Sequence, residues 1–130
     1  MDIFLLRNKS KVGMGFFEAG NFYPDYILWI NTKNIQYLTF IDPKGLIHQS
    51  INDPKIQFYQ TIKELEKRPL LQKTKGKKDI ILNSFIISVT DYTAIRGSWS
   101  TTKNNLSNMH VLFLNDDDCI QTMFDKILSE

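Results

Sequence analysis

The segment that most constrains the fold is residues 80–90, IILNSFIISVT, an almost unbroken run of apolar residues. Successive side chains of a β-strand point to opposite faces of its sheet. A strand that is apolar at both sets of positions must therefore be buried on both faces, as in sheets covered by helices on either side. Since 130 residues suffice for one domain with one core, the segment predicts a single α/β domain.

Turn signals and hydrophobic periodicity divide the rest of the chain into further elements. The segments YPDYILWI and IQYLTFIDPK flank the polar turn NTKN, which predicts two adjacent antiparallel strands. Asp53 followed by Pro54 predicts the start of a helix that ends at Arg68-Pro69. We also predict a first strand at 12–19, a polar loop at 97–108, a last strand at HVLFL and a final helix from Asn115. The sheet is expected to be mixed.

The second strand of the predicted hairpin ends in residues that strands normally avoid. Asp42 and Lys44 occupy positions i and i+2 and should project from one face, with Pro43 between them. Because proline donates no hydrogen bond to a neighbouring strand, it predicts a local bulge. Asp25 stands 17 residues before Asp42, and pairing across the turn can bring the two carboxylates together.

Two carboxylates and a lysine at one sheet edge suit a metal-dependent hydrolase. Carboxylate oxygens are ligands for a hard cation such as Mg²⁺, which keeps several waters. Such a cation polarises a phosphoryl oxygen and lowers the pKa of a bound water. A lysine beside it can orient the water and offset negative charge that develops on the phosphate.

These residues resemble a known signature. Pro24-Asp25 and Asp42-x-Lys44 resemble the motif of the PD-(D/E)xK nuclease superfamily, and the surrounding stretch from GFFEAG to IKELEKR resembles the C-terminal nuclease region of type III restriction-like DEAD/DEAH-box helicase proteins. The resemblance covers about residues 5–90, with a core at about 12–90, and leaves 91–130 unassigned.

The resemblance implies a restriction-endonuclease-like mixed sheet with flanking helices. It further implies an endonuclease that hydrolyses DNA with Mg²⁺, or Mn²⁺ in its place, in which Asp25 and Asp42 bind the metal and Lys44 positions the water. Residues 1–130 would then be a single nuclease-type domain excised from a longer restriction or defence protein, whose helicase or translocase portion would be a partner.

Other residues are weaker candidates. Glu18 could supply a further catalytic acid, or it could be an ordinary surface acid. Gln57 and Gln60 could reach the site from the predicted helix. The basic loop KTKGKK could contact the DNA backbone or could simply be solvated; its candidate residues are Lys73, Lys75, Lys77 and Lys78. The run Asp116–Asp118 is better explained by its position at a helix start than by a metal.

Charge and composition bear on partners and location. Residues 1–78 contain 13 lysines and arginines against 7 acids, whereas residues 79–130 contain 3 against 7. The basic part favours a polyanionic partner such as DNA, bound weakly and with a steep salt dependence, although chance asymmetry is the alternative. The chain has a single cysteine, Cys119, and no visible signal peptide or membrane-spanning segment. These features favour a cytoplasmic protein that does not associate with a membrane.

Two questions stay open from the sequence. The chain could instead be a non-catalytic binding module, such as a toxin-immunity or assembly protein, which needs no converging carboxylates. The apolar segment 109–114 with the final helix could form a homodimer surface, or could dock on the helicase portion.

Overall fold

A computed structural model of the chain describes residues 1–9, 13, 15–16, 21–67 and 79–130. These residues form five strands and four helices. The strands are β1 (Asp2–Arg7), β2 (Tyr26–Asn31), β3 (Ile35–Lys44), β4 (Asp79–Ser88) and β5 (Val111–Phe113). The helices are α1 (Phe58–Glu66), α2 (Tyr92–Trp99), α3 (Lys103–Asn108) and α4 (Cys119–Leu128).

The five strands form one mixed sheet in the order β1-β2-β3-β4-β5. β2 pairs antiparallel with both β1 and β3, whereas β4 is parallel to β3 and β5 is parallel to β4. As expected from its apolar composition, β4 is an interior strand, and its residues from Leu82 to Ser88 are all buried. The predicted α/β fold with a mixed sheet and flanking helices is therefore confirmed.

Each face of the sheet has its own core. On one face, which we call the α1 face, Phe58, Ile62 and Leu65 of α1 are buried at helical spacing. Phe40 of β3 and Ile86 of β4 belong to the same core. On the opposite face, the α4 face, α4 contributes Cys119, Met123 and Ile127. The candidate acids lie at the edge of the α1 face, as shown below.

The first strand is not where the sequence predicted it. β1 occupies Asp2–Arg7, whereas the strand was expected at 12–19. Only 13, 15 and 16 of that segment are described, and there Phe16 forms an isolated bridge with Phe22. All six residues of β1 are exposed. The sequence DIFLLR therefore lacks the alternation of apolar and polar residues by which a half-buried strand is predicted.

The prediction of a polar loop at 97–108 is also wrong, because most of this segment is helical. Helix α2 ends at Trp99 and α3 spans Lys103–Asn108. The few apolar residues are well spaced for burial: Ile95, Trp99 and Leu106 are all in the core. The Thr102 hydroxyl caps α3 by accepting a hydrogen bond from the Asn105 N–H at 3.0 Å.

Two further expectations on helices and surfaces need correction. α1 begins at Phe58 and not at Pro54, since Asp53 instead closes a turn by accepting from the Lys55 N–H at 2.8 Å. The segment 109–114 is not the expected exposed patch, because β5 within it is fully buried. Leu114 and Ile120 near it are exposed.

No helix in the described part of the chain is long and apolar enough to cross a membrane.

A pair of buried polar residues interrupts the α4 face of the sheet. Thr39 and Asn83 are register partners on β3 and β4, and both are fully buried. Neither the Thr39 hydroxyl nor the Asn83 amide has a hydrogen-bond partner. A buried polar group without a partner lowers stability by about 1–3 kcal/mol.

Replacing Thr39 with valine should therefore stabilise the protein. We expect Thr39→Val to raise the free energy of unfolding by about 1 kcal/mol, since valine keeps the shape and removes the unpaired hydroxyl. Urea unfolding measures the change, with Thr93→Val at an exposed position as the control. A loss of stability in Thr39→Val alone would show that the hydroxyl is satisfied.

Candidate active site

The hairpin of β2 and β3 brings the two predicted carboxylates together. Tyr26 is the register partner of Ile41, so one further step places Asp25 opposite Asp42. The Asp25 N–H donates a hydrogen bond to Asp42 Oδ1 at 3.1 Å. The contact joins two residues that sequence spacing alone suggested could meet.

β1 holds the segment that carries Asp25. Just beyond the end of β1, the Asn8 N–H donates to the Asp25 carbonyl at 2.8 Å. The Asn8 side-chain amide donates to the Pro24 carbonyl, also at 2.8 Å. These bonds continue the β1–β2 pairing past Tyr26, so the backbone at Asp25 is fixed from both neighbouring strands.

Lys44 lies on the same side of β3 as Asp42. Its Nζ is 3.1 Å from Asp42 Oδ2, and the two side chains are only 17% and 8% exposed. The Lys44 carbonyl accepts a hydrogen bond from the Val89 N–H at 3.1 Å, which anchors the end of β3 to the chain leaving β4. The lysine is thus a largely buried partner of the carboxylate.

Pro43 fits between them without the bulge that the sequence predicted. Pairing of β3 with β4 runs without a break through Asp42, Pro43 and Lys44. Because the Lys44 carbonyl points to β4 and backbone groups alternate along a strand, the nitrogen and carbonyl of Pro43 point to the β2 side. β2 pairing has ended there, so the missing N–H of Pro43 costs no ladder bond.

The electrostatic state of Asp42 is unusual. Burial raises the pKa of Asp42 above its ordinary value, the Lys44 ammonium lowers it, and the nearby Asp25 carboxylate raises it. Burial is the largest of these influences, and the net effect is a raised pKa. The environment therefore disfavours the carboxylate form, and a second cation placed between Asp25 and Asp42 would favour it.

The acids and the lysine line a polar cleft of about 280 Å³. Its other lining residues are Asn21, Phe22, Tyr23, Pro43 and Lys55. Sequence reasoning missed Phe22 and Lys55, which lie outside the two motif strands. Pro54-Lys55 was interpreted only as a helix start, and no pattern in the sequence connects Lys55 with Asp42.

The donor set suits a hard divalent cation. Asp42 Oδ1 and Oδ2 each accept one hydrogen bond, which leaves acceptor capacity on both atoms. The Pro43 carbonyl points to the β2 side of β3 and makes no bond to β4. Among the described residues there is no cluster of three or more His, Cys, Asp or Glu side chains. Mg²⁺ is the cation that tolerates this, because it binds through one or two carboxylates and keeps its remaining ligands as water or substrate oxygens.

Several predicted residues do not take part in this cleft or cannot be placed. Glu18 and the basic residues Lys73, Lys75, Lys77 and Lys78 lie outside the described residues. Gln57 donates to the Ile51 carbonyl and Gln60 to the Tyr59 hydroxyl, so both are engaged elsewhere. Asp116 forms an ion pair with Lys103.

Comparison with known proteins gave no relative for the chain: no family model, no curated protein and no solved structure matched it.

Proposed function

We propose that the protein is a metal-dependent DNA endonuclease whose active site is formed by Asp25, Asp42 and Lys44. The observation that carries the proposal is the 3.1 Å contact of Lys44 with an Asp42 carboxylate that also accepts from the Asp25 N–H, in a polar cleft that Asp25 lines too. Burial that disfavours the Asp42 carboxylate gives the site a reason to recruit a cation.

The reaction proposed is hydrolysis of a phosphodiester bond. A water molecule loses a proton to solvent as its oxygen attacks the phosphorus, and the bond from phosphorus to the 3′ oxygen breaks. The leaving 3′ oxygen takes up a proton from solvent, so the products carry a 5′-phosphate and a 3′-hydroxyl. Asp25 and Asp42 would hold the Mg²⁺ or Mn²⁺, with the Pro43 carbonyl beside them. When bound, the cation polarises the phosphoryl oxygen and acidifies a water.

Lys44 has its own part in the chemistry. Its ammonium group is fixed by Asp42 Oδ2 and can donate a further hydrogen bond to the attacking water. The same charge offsets the negative charge that accumulates on the phosphoryl oxygens. Because the side chain is only 17% exposed, this interaction is weakly screened by solvent.

DNA is the proposed substrate because the motif half of the chain is basic, with 13 lysines and arginines against 7 acids in residues 1–78. A helicase or translocase portion of the same longer protein, cytoplasmic location and pairing of two such domains for a double-strand cut belong to the same proposal. They follow from the resemblance and from the single-strand chemistry of one site.

A non-catalytic binding module is the competing function. Such a module has no need for facing carboxylates, and a lysine in its hairpin would extend into solvent. Lys44 is instead largely buried and paired with Asp42. This difference favours the catalytic proposal.

The first test is cleavage of plasmid DNA by the purified protein. We expect nicked or linear product with Mg²⁺ or Mn²⁺ and none with EDTA. Lys44→Met should slow cleavage by about 10²–10³-fold, because a charge placed against the developing negative charge is lost. Lys33→Met, in the turn at the far end of the same hairpin, is the matched control. Cleavage that survives EDTA, or that is as fast in Lys44→Met as in Lys33→Met, would overturn the assignment.

A further inference from the structure

The cleft contains a second lysine that the proposed chemistry does not use. Lys55 is half-buried and lines the same cleft as Asp25, Asp42 and Lys44. Its Nζ is 5.9 Å from the centre of the Phe22 ring, and the Nζ of Lys44 is 5.8 Å from the same point. The two ammonium groups are therefore no farther apart than the sum of these distances.

The two lysines differ in their electrostatic partners. Lys44 is paired with Asp42 at 3.1 Å. Within the described part of the chain, no carboxylate forms an ion pair with Lys55, and its only charge-related contact is the Phe22 ring. A half-buried ammonium group without an anionic partner is free to form a charge-assisted hydrogen bond with an anion that enters the cleft.

The position of Lys55 is fixed by its surroundings. Its backbone N–H donates to Asp53 Oδ1 at 2.8 Å, which holds the turn before α1. The Phe22 ring is 2% exposed and packs edge-to-face on Phe58 at 5.6 Å. A cation over a buried ring is attracted by cation–π interaction, which favours an orientation of Lys55 towards Phe22 before any ligand arrives.

We propose that Lys55 forms a phosphate subsite for the DNA backbone, binding a phosphate next to the one held at Asp25, Asp42 and Lys44. This inference rests on the proposed function and adds to it a contact that fixes where the strand lies in the cleft. A contact with phosphate carries no sequence information. Its loss should weaken DNA binding equally for different sequences.

The test measures binding apart from cleavage. Fluorescence anisotropy of a labelled 20-base-pair duplex, with EDTA present, gives the dissociation constant at several salt concentrations. We expect Lys55→Met to reduce the slope of log K against log salt by about one, the effect of losing one phosphate contact. Lys33→Met should leave the slope unchanged, and Lys55→Arg should restore it. With Mg²⁺, Lys55→Met should raise KM more than it lowers kcat.

Each outcome separates the subsite from the proposed function. If the parent cleaves DNA and Lys55→Met has the slope of Lys33→Met, the subsite is wrong and the nuclease stands. If the slope depends on Lys55 but no metal supports cleavage, the subsite stands and the nuclease is wrong. If the parent neither binds nor cleaves DNA, both are overturned.

Discussion

An Asp42→Asn variant should lose cleavage and at the same time become more stable than the parent at neutral pH. We expect cleavage to fall by about 10²–10³-fold, because the amide removes the charge of the proposed metal ligand and the ionic partner of Lys44. The gain in stability follows from the raised pKa of Asp42, whose largest cause is burial and to which the nearby Asp25 carboxylate adds. Groups that an activity requires often lower the stability of the folded protein, and replacing them then raises stability while activity is lost.

The sign of the pH dependence can be worked out from the same pKa. Folding raises the pKa of Asp42 above its ordinary value of 3.8, so the native state holds this proton more tightly than the unfolded state does. The stability linked to Asp42 is therefore fully present below pH 3.8 and is lost as pH rises through the higher, folded-state pKa. Asparagine has no proton to lose, so its stability has no such pH dependence. Asp42→Asn should therefore be more stable than the parent only at pH values above the folded-state pKa of Asp42.

Thermal unfolding at several pH values, with and without Mg²⁺, measures both effects. Mg²⁺ should raise the midpoint of the parent, since a ligand that binds only the native state stabilises it, and should not raise that of Asp42→Asn. Asp117→Asn, an exposed acid near α4, is the control and should behave as the parent in every condition. A metal-induced shift of equal size in Asp42→Asn would remove Asp42 from the metal site.

Phe58→Ala should cause the largest loss of stability. Phe58 is fully buried at the start of α1, and the centre of its ring lies 4.6 Å from that of Phe16 and 5.6 Å from that of Phe22. Truncating a buried phenylalanine costs about 3–5 kcal/mol, which is a large part of the 5–15 kcal/mol that keeps a typical domain folded. The Nζ atoms of Lys44 and Lys55 lie 5.8 and 5.9 Å from the centre of the Phe22 ring, which packs on Phe58. The substitution should therefore also disturb the candidate site in molecules that remain folded.

Urea unfolding of Phe58→Ala beside Phe4→Ala tests the first part. Phe4 is a phenylalanine of the exposed edge strand, 47% exposed, with its ring tilted against that of Trp29 at 5.5 Å between centroids, so its truncation should cost about 1 kcal/mol or less. Equal losses in the two variants would mean that Phe58 is not a principal core residue.

The hairpin that holds the candidate site was predictable from the sequence because its signals are local. The polar turn, the register that follows from it and the i, i+2 positions of Asp42 and Lys44 are all set within 20 residues. The interior position of β4 was predictable for a related reason, since a strand that is apolar on both faces has few other places to go.

The remaining parts depend on contacts between distant segments. Lys55 reaches the cleft because the chain after β3 returns over the α1 face, and no spacing rule relates it to Phe22. β1 has no alternating pattern since both of its faces are exposed. α2 and α3 are rich in Ser, Thr and Asn, which favour turns, and they are held by a few buried residues such as Trp99 and Leu106.

The exposed edge strand has a consequence for how the protein behaves in a test tube. Beyond β1 no described strand continues the sheet, so one row of its backbone donors and acceptors faces outward. Ile3, Phe4, Leu5 and Leu6 are about half exposed or more, while the only charges of the strand, on Asp2 and Arg7, stand at its two ends. Natural edge strands usually carry a lysine, a proline or a bulge in the middle, which prevents edge-to-edge aggregation. This strand has none of these, so the protein is prone to aggregate as its concentration rises, and a lysine in place of Leu5 is the substitution that should keep it soluble.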